Sequence, residues 1–481
     1  MRDFRIVLLI LGALLCGLGA LAGLFFLWSV SINDGEGPGF LLTLTMTGFV
    51  GGLFLILGRR ASGELNFRQA VCVTVASWLG LPIFAAFPFL FGDHPLSFTD
   101  AVFETVSGLT TTGSTVMTDL ESTARTLLMW RALIQWIGGV GIIALSLAIL
   151  PFLKVGGMQL FQLESSDNST DRLIARPKNL ALVIGSIYAG LTLLCAFCYI
   201  LAGMMPFDAL AHALTTVATG GYSTRDASMG AFSPAAHWVG SVFMLAGALP
   251  FMAYVRLIRV RRWGRTGGFS EIRWFFTLIA VFSILMIGAQ LTAGIGFHEA
   301  VREGIFNVVA VITTTGYASG DYQLWGSFAM ASFFVLTFLG GCAGSTAGGF
   351  KTFRLEIMGK AIGRALSKLP SPHSTVTARY QNRRLTNEDV ASVALFAALY
   401  VAVFALSAMV LAAMGLDFMS AISAAATALA NVGPGLGDII GPAGNFIAVP
   451  DGAKWVLCAV MILGRLEIIV ALLLFTPRFY T

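Results

Sequence analysis

The chain has 481 residues, 57% of them hydrophobic and 11% charged, with a formal net charge of +5. A soluble domain carries about 25% charged residues, so this composition excludes an ordinary water-soluble enzyme or nucleic-acid-binding module. Apolar runs of about 20 residues, the length that crosses a hydrocarbon core, recur nearly end to end.

In chain order the runs cover residues 6–28, 39–58, 70–91, 127–153, 180–202, 235–257, 272–290, 325–341, 390–414 and 453–475. They predict an all-α polytopic membrane protein of about ten transmembrane helices. The first run has no small-residue cleavage site after it and reads as a retained anchor rather than a signal peptide. Alternating the connecting loops between two faces puts about 24 Lys/Arg and 9 Asp/Glu on the face holding Arg59, Arg60 and Arg256. The other face receives about 5 basic and 15 acidic residues, with Arg465 and Glu467 left inside a run. The positive-inside rule makes the first face, and both termini with it, cytoplasmic. The outer face is then net negative and concentrates cations. All six cysteines lie in apolar segments, and the Cys195/Cys198 pair has no second ligand pair, so they read as packing residues.

Between the runs, four hexads recur: TTTGST (110–115), ATGGYS (218–223), TTTGYA (313–318) and ANVGPG (430–435). They align on Gly113, Gly221, Gly316 and Gly433, 95 to 117 residues apart. Thirteen positions earlier stand Asp100, Asp208, Glu303 and Ser420; six earlier stand Ser107, Thr215, Ala310 and Thr427. A register held without gaps over each preceding segment marks a structural repeat. Each segment predicts a short helix with a capping residue near its start. About 12 residues at 1.5 Å rise span roughly half a bilayer, so each is expected to enter and return from the outer side. The hexads would then be non-helical at membrane depth, which is tolerated only inside protein or beside a water-filled cavity. Four of them around one axis turn main-chain carbonyls and Thr hydroxyls toward a common point, a ligand set suited to a dehydrated monovalent cation. Glycine at the fourth position permits the backbone angles this needs.

These four membrane–half-helix–membrane units, their strings, and the intramembrane stretch GGCAGSTAGGFKT (340–352) resemble the Trk/Ktr/HKT superfamily of potassium transporters, its Trk branch most closely. The resemblance implies a helix pair at 1–66, then pore repeats at 67–178, 179–268, 269–385 and 386–481, the third carrying a gating loop. Carried over, the filter is Thr111, Thr112 and Gly113; Thr219, Gly220 and Gly221; Thr314, Thr315 and Gly316; and Asn431, Val432 and Gly433. All four key positions are Gly, which in the family goes with potassium rather than sodium. The resemblance also implies K⁺ as the transported ion with no organic cofactor, a homodimer in the lipid of a bacterial inner membrane, and a cytoplasmic nucleotide-binding regulatory ring made by another polypeptide.

The gate is expected where the run at 325–341 breaks into residues 342–349. There Gly344, Ser345, Thr346, Gly348 and Gly349, followed by Lys351, form a poor helix. The string is no phosphate-binding P-loop, because Phe350 separates Gly349 from Lys351. Arg465, deep in the last run, should face a cavity or an acid, and Glu467 two residues on lies about 200° round the helix. In the pore, its charge would repel a cation about 8 Å away by roughly 2 kcal/mol at an effective dielectric of 20. Basic residues from Lys351 through Arg384, and those from Arg256 to Arg265, suit lipid headgroups or the regulatory ring. A competing reading is an H⁺- or Na⁺-coupled symporter, or a weakly selective K⁺/Na⁺ pathway. Parallel rather than inverted repeats, and Glu467 as the lone mid-run acid, disfavour coupling. Five scattered histidines form no catalytic constellation.

Overall fold

The structure, a computed structural model, describes residues 4–61, 65–92, 95–148, 177–260, 270–370, 377–380 and 383–479. An antiparallel helix pair, α1 (Arg5–Ile32) and α2 (Gly37–Gly58), precedes four units. The first is α3 (Phe67–Ala85) with the short α4 (Phe87–Leu90), then half-helix α5 (Phe98–Leu109) and α6 (Arg125–Ala148). The second is α7 (Pro177–Leu201), half-helix α8 (Pro206–Val217), α9 (Pro234–Ala248) and α10 (Phe251–Val260). The third is α11 (Ser270–Thr292), half-helix α12 (Phe297–Ile312), α13 (Ser327–Phe338) and α14 (Thr352–Lys368). The fourth is α15 (Asn387–Ala413), half-helix α16 (Phe418–Ala430), α17 (Asp451–Arg465) and α18 (Ile469–Leu473).

Among the described residues seven helices are long and apolar enough to cross a membrane, and the bent pair α9/α10 adds an eighth. The ten predicted runs are helical where the structure describes them, residues 149–153 of the fourth lying outside the described residues, but three do not continue unbroken, and these are the second helices of units two, three and four. The run at 235–257 turns by 90° between α9 and α10, where Pro250 cannot supply an amide to continue the ladder. The run at 325–341 ends at Phe338, after 12 residues. The run at 453–475 breaks at Leu466–Ile468, where Glu467 and Ile468 have φ of 62° and 39°. Left-handed backbone at β-branched Ile468 is strained and persists only because its surroundings hold it.

The half-helices sit in the centre, their C-terminal halves wholly buried. Their caps correct the sequence reading. Ser97 and Asp417, not Asp100 and Ser420, receive the free amides, from Asp100 and Ser420 respectively. The third half-helix begins at Phe297, six residues before Glu303, and has 16 residues rather than about 12. Glycines on the second helices allow close approach to the half-helix ends. A Cβ at Gly138 would stand 1.9 Å from the Leu109 carbonyl oxygen, at Gly464 2.0 Å from that of Leu429, and at Gly247 2.7 Å from that of Val217. These three carbonyls occupy the same repeat position, four residues before the key glycine. Gly138→Ala and Gly464→Ala are each expected to lower stability by about 1–3 kcal/mol through overpacking. Thermal unfolding of the purified protein in detergent checks this, with the exposed Gly48→Ala as a neutral control, since a Cβ there meets nothing.

Candidate functional site

Each half-helix hands over to its hexad through the same bond. The amides of Thr112, Gly220, Thr315 and Val432 donate to the carbonyls of Ser107, Thr215, Ala310 and Thr427, at 2.8, 2.9, 2.9 and 3.1 Å. The acceptors are the residues six before the key glycine, so the register read in the sequence is a register of hydrogen bonds. Beyond it the backbone is left-handed at two places in every hexad. The key glycines have φ of 86°, 77°, 77° and 115°, and Thr111, Thr219, Thr314 and Asn431 have 52°, 51°, 58° and 56°. The second set was not foreseen, because threonine and asparagine carry a Cβ that disfavours this region.

The four strings meet in a closed ring. A Cβ on Gly113 would lie 2.1 Å from the Gly220 carbonyl oxygen, and one on Gly221 1.8 Å from that of Thr315. One on Gly316 would lie 1.8 Å from that of Val432, and one on Gly433 2.8 Å from that of Thr112. Each unit therefore abuts the next and the fourth returns to the first, so the structure brings all twelve sequence-predicted filter residues together. Side chains lock the order. Tyr222 donates to the Glu104 carbonyl at 2.6 Å, the Tyr317 hydroxyl lies 2.6 Å from Thr215 Oγ1, and Ser114 Oγ donates to the Gly433 carbonyl at 2.8 Å. At the end nearest the half-helices, Thr111 Oγ1 and Asn431 Oδ1 are buried with no hydrogen-bond partner among the described residues. The ring can offer stacked neutral oxygens to a cation that fits within it.

A supporting layer lies behind the ring. Glu104, His212 and Asn307, each nine residues before its key glycine, hold the chain that leaves the hexad. Glu104 accepts from the Val116 amide at 2.9 Å and from Arg131 Nε at 2.8 Å. His212 Nε2 lies 3.0 Å from Ser223 Oγ, and Asn307 Nδ2 donates to Ser319 Oγ at 2.7 Å. In the fourth unit Ser423 Oγ exchanges bonds with both backbone groups of Leu436. These residues were not foreseen from the sequence, although a polar residue stands at one aligned position of three half-helices.

Under the ring lies the loop from Leu339 to Lys351, closed at its base where Gly340 N donates to the Phe350 carbonyl at 3.0 Å and Phe350 N to that of Phe338 at 3.0 Å. Its tip touches three of the four strings. Thr346 Oγ1 donates to the Val217 carbonyl at 3.0 Å and accepts from Thr219 Oγ1 at 3.2 Å, while Gly348 N donates to Thr314 Oγ1 at 2.6 Å. A Cβ at Gly348 would stand 2.5 Å from the Ala430 carbonyl oxygen. The bend after α9 frees the carbonyls of Gly247 and Ala248, which accept from Thr346 N at 3.2 Å and Cys342 N at 3.1 Å. The Gly344 carbonyl accepts from Phe251 N at 2.9 Å, Ser345 Oγ bonds the Cys342 carbonyl, and the Lys351 ammonium bonds that of Ala347. Gly344 and Gly349 take the left-handed backbone at the loop's corners, φ 68° and 69°.

Arg465 ends α17, buried, with none of its three nitrogens hydrogen-bonded among the described residues. Glu467 instead pairs with Arg354 at 2.5 Å, and the Arg354 guanidinium lies 3.7 Å from the centre of the Phe396 ring.

A sequence profile described as a TrkH cation transport protein matches residues 37–479. The chain belongs to the TrkH family. Its members are transporters, not enzymes. It is 45% identical to the Trk system potassium uptake protein TrkI of Halomonas elongata over 86% of this chain and 84% of that one. It is 35% identical to the Trk system potassium uptake protein TrkH of Escherichia coli K12, over 93% of each. The crystal structure of the potassium transporter TrkH from Vibrio parahaemolyticus superimposes with a TM-score of 0.89 at 34% identity, over 99% of this chain and all of that one. The TrkH-type architecture of a polytopic helical membrane protein is thus shown over the whole length.

Replacing Glu104 by Gln leaves the buried Arg131 guanidinium facing a neutral amide. A loss of about 3–5 kcal/mol is expected from an uncompensated buried charge. Thermal unfolding in detergent measures it, and Glu104→Gln with Arg131→Leu should recover part of the loss.

Proposed function

We propose that this chain takes up potassium ions across the bacterial inner membrane, passively, through the ring of four hexads acting as a selectivity filter. The observation that carries the reading is the closed sequence of contacts from Gly113 through Gly221, Gly316 and Gly433 back to the first unit. The relatives' names, potassium uptake proteins and a potassium transporter, point the same way. In this reading K⁺ sheds water at the outer mouth, which the charge asymmetry makes negative. Carbonyls of the residues at and before each key glycine, with the hydroxyls of Thr111, Thr219 and Thr314 and the Asn431 amide oxygen, replace that water.

The loop holding Gly344, Ser345, Thr346, Gly348, Gly349 and Lys351 closes the inner end, and Arg465 adds a positive barrier beneath it. Opening moves the loop off Thr219 and Thr314. Lys360, Arg364, Lys368, Arg379 and Arg384, on α14 and after it, would receive a cytoplasmic nucleotide-binding regulator, with the chain working as a homodimer and both termini in the cytoplasm; Arg354, buried against Glu467, is not among them. Residues 261–265 of the second basic stretch lie outside the described residues.

Rubidium uptake in cells lacking their own potassium systems tests the reading. The parent chain should support uptake that excess Na⁺ competes against poorly, and Gly113→Ser, whose Cβ must push back the Gly220 carbonyl oxygen 2.1 Å away, should shift preference toward Na⁺ by tenfold or more. No uptake from parent protein that has reached the membrane would sink the proposal. For the gate, deleting residues 343–347 should raise flux without any partner; unchanged flux assigns the loop a purely structural role.

A further inference from the structure

The ring is not symmetric at the layer just before the key glycines. Three of its residues, Thr112, Thr315 and Val432, carry side chains, and the fourth is Gly220. The space a side chain would fill is taken by Gln135 from α6, fully buried, whose amide carbon lies 2.5 Å from where a Cβ of Gly220 would be. Gln135 makes two bonds to the second string: Nε2 donates to the Gly220 carbonyl at 2.8 Å, and Oε1 accepts from the Tyr222 amide at 3.1 Å. The backbone amide of Tyr222 can only donate, which fixes which end of the Gln135 amide faces Gly220. Among the described residues the carbonyls of Thr112, Thr315 and Val432 accept no hydrogen bond. One oxygen of the four in this layer is therefore engaged from outside.

We propose that Gln135 is a specificity-determining residue, tuning this layer for the larger cation by engaging the Gly220 carbonyl. The inference rests on the filter reading above and adds to it a residue outside the hexads. An N–H behind a carbonyl oxygen draws on its lone pairs and weakens the field it presents to an ion. Weaker fields favour the more easily dehydrated K⁺ or Rb⁺ over Na⁺. The clamp also holds the Gly220–Tyr222 segment at one radius, so that it does not close onto a smaller ion. Both effects act in one direction, and removing the side chain shifts preference toward Na⁺. One buried hydrogen bond is worth about a fivefold change in an equilibrium, which sets the expected scale.

The experiment measures rubidium uptake against rising Na⁺ in cells lacking their own potassium systems. It compares the parent chain, Gly113→Ser, Gln135→Leu, and the double variant Gln135→Ala with Gly220→Ala. Gly220 is not among the left-handed residues, so alanine is permitted there, and its methyl refills the space without restoring the donor. Gln135→Leu is expected to keep uptake while the Na⁺ concentration for half-inhibition falls about fivefold, matching one hydrogen bond. The double variant should stay shifted. Its return to the parent value would assign Gln135 a packing role and overturn the proposal, as would a parent-like value for Gln135→Leu. If Gln135→Leu does not reach the membrane, Gln135→Met decides. It keeps the length of the side chain and removes the donor, and parent-like inhibition again refutes the idea. Absence of parent uptake, or a Gly113→Ser variant indistinguishable from the parent, would mark failure of the filter reading itself.

Discussion

Main-chain polar groups at membrane depth need partners, and lipid supplies none. That constraint organises this protein. Four hexads leave their half-helices inside the membrane, and no single hexad satisfies its own carbonyls. Arranged in a ring, each leans on its neighbour, so that the glycine of one unit lies against the carbonyl before the glycine of the next. The contact leaves no room for a Cβ, which explains why the fourth hexad position is glycine even in ANVGPG, where little else of the pattern survives. The same closure explains the left-handed threonines. Thr111, Thr219 and Thr314 hold a conformation that costs of order 1–2 kcal/mol each, and the ring imposes it because a right-handed residue there would turn the following carbonyl away.

The second constraint is proximity. Gly138, Gly247 and Gly464 let the second helices touch the half-helix ends at one equivalent carbonyl. In the third unit α13 stops at Phe338, the chain loops beneath the ring, and helix resumes only at Thr352. The bend between α9 and α10 belongs to the same arrangement, since the carbonyls freed at Gly247 and Ala248 are where the loop docks. A continuous helix would have satisfied them internally and given the loop nothing to hold.

Runs, half-helices and the glycine register were legible because each rests on local pattern: hydropathy over a span's length, or fixed offsets from one glycine. The legible part of each half-helix is its end at the ring. Its start is not, which is why Glu303 fell six residues inside α12 rather than at its cap. The breaks were less legible for different reasons. Pro250 stood in plain view inside an apolar run, and an average over that run conceals it. At Leu466–Ile468 there is no glycine or proline at all. Glu467 is drawn off the helix line toward Arg354, a partner more than a hundred residues away, and only the folded chain brings them together. Gln135 was invisible for the same reason: a lone glutamine in an apolar helix acquires meaning only from the Gly220 carbonyl it meets.

On the proposed gating, the strength of the loop's attachment has to be modest. Six donors join it to the pore and to the α9/α10 corner: Thr346 Oγ1 to Val217 and Gly247, Thr219 Oγ1 to Thr346 Oγ1, Gly348 N to Thr314, Thr346 N to Gly247, Cys342 N to Ala248, and Phe251 N to Gly344. At about 1 kcal/mol net for each, these favour the closed loop by roughly 6 kcal/mol. Moving a two-state element from almost always shut to almost always open takes about 5.5 kcal/mol of differential binding. In the proposed reading a regulator docked on α14 would act directly on the loop, because α14 begins at Thr352, one residue beyond the loop's base. A loop buried by large apolar side chains would exceed that range. Glycine, alanine, serine and threonine at 343–349 hold it shut mainly by hydrogen bonds, and water entering the vacated space can replace those once the loop withdraws.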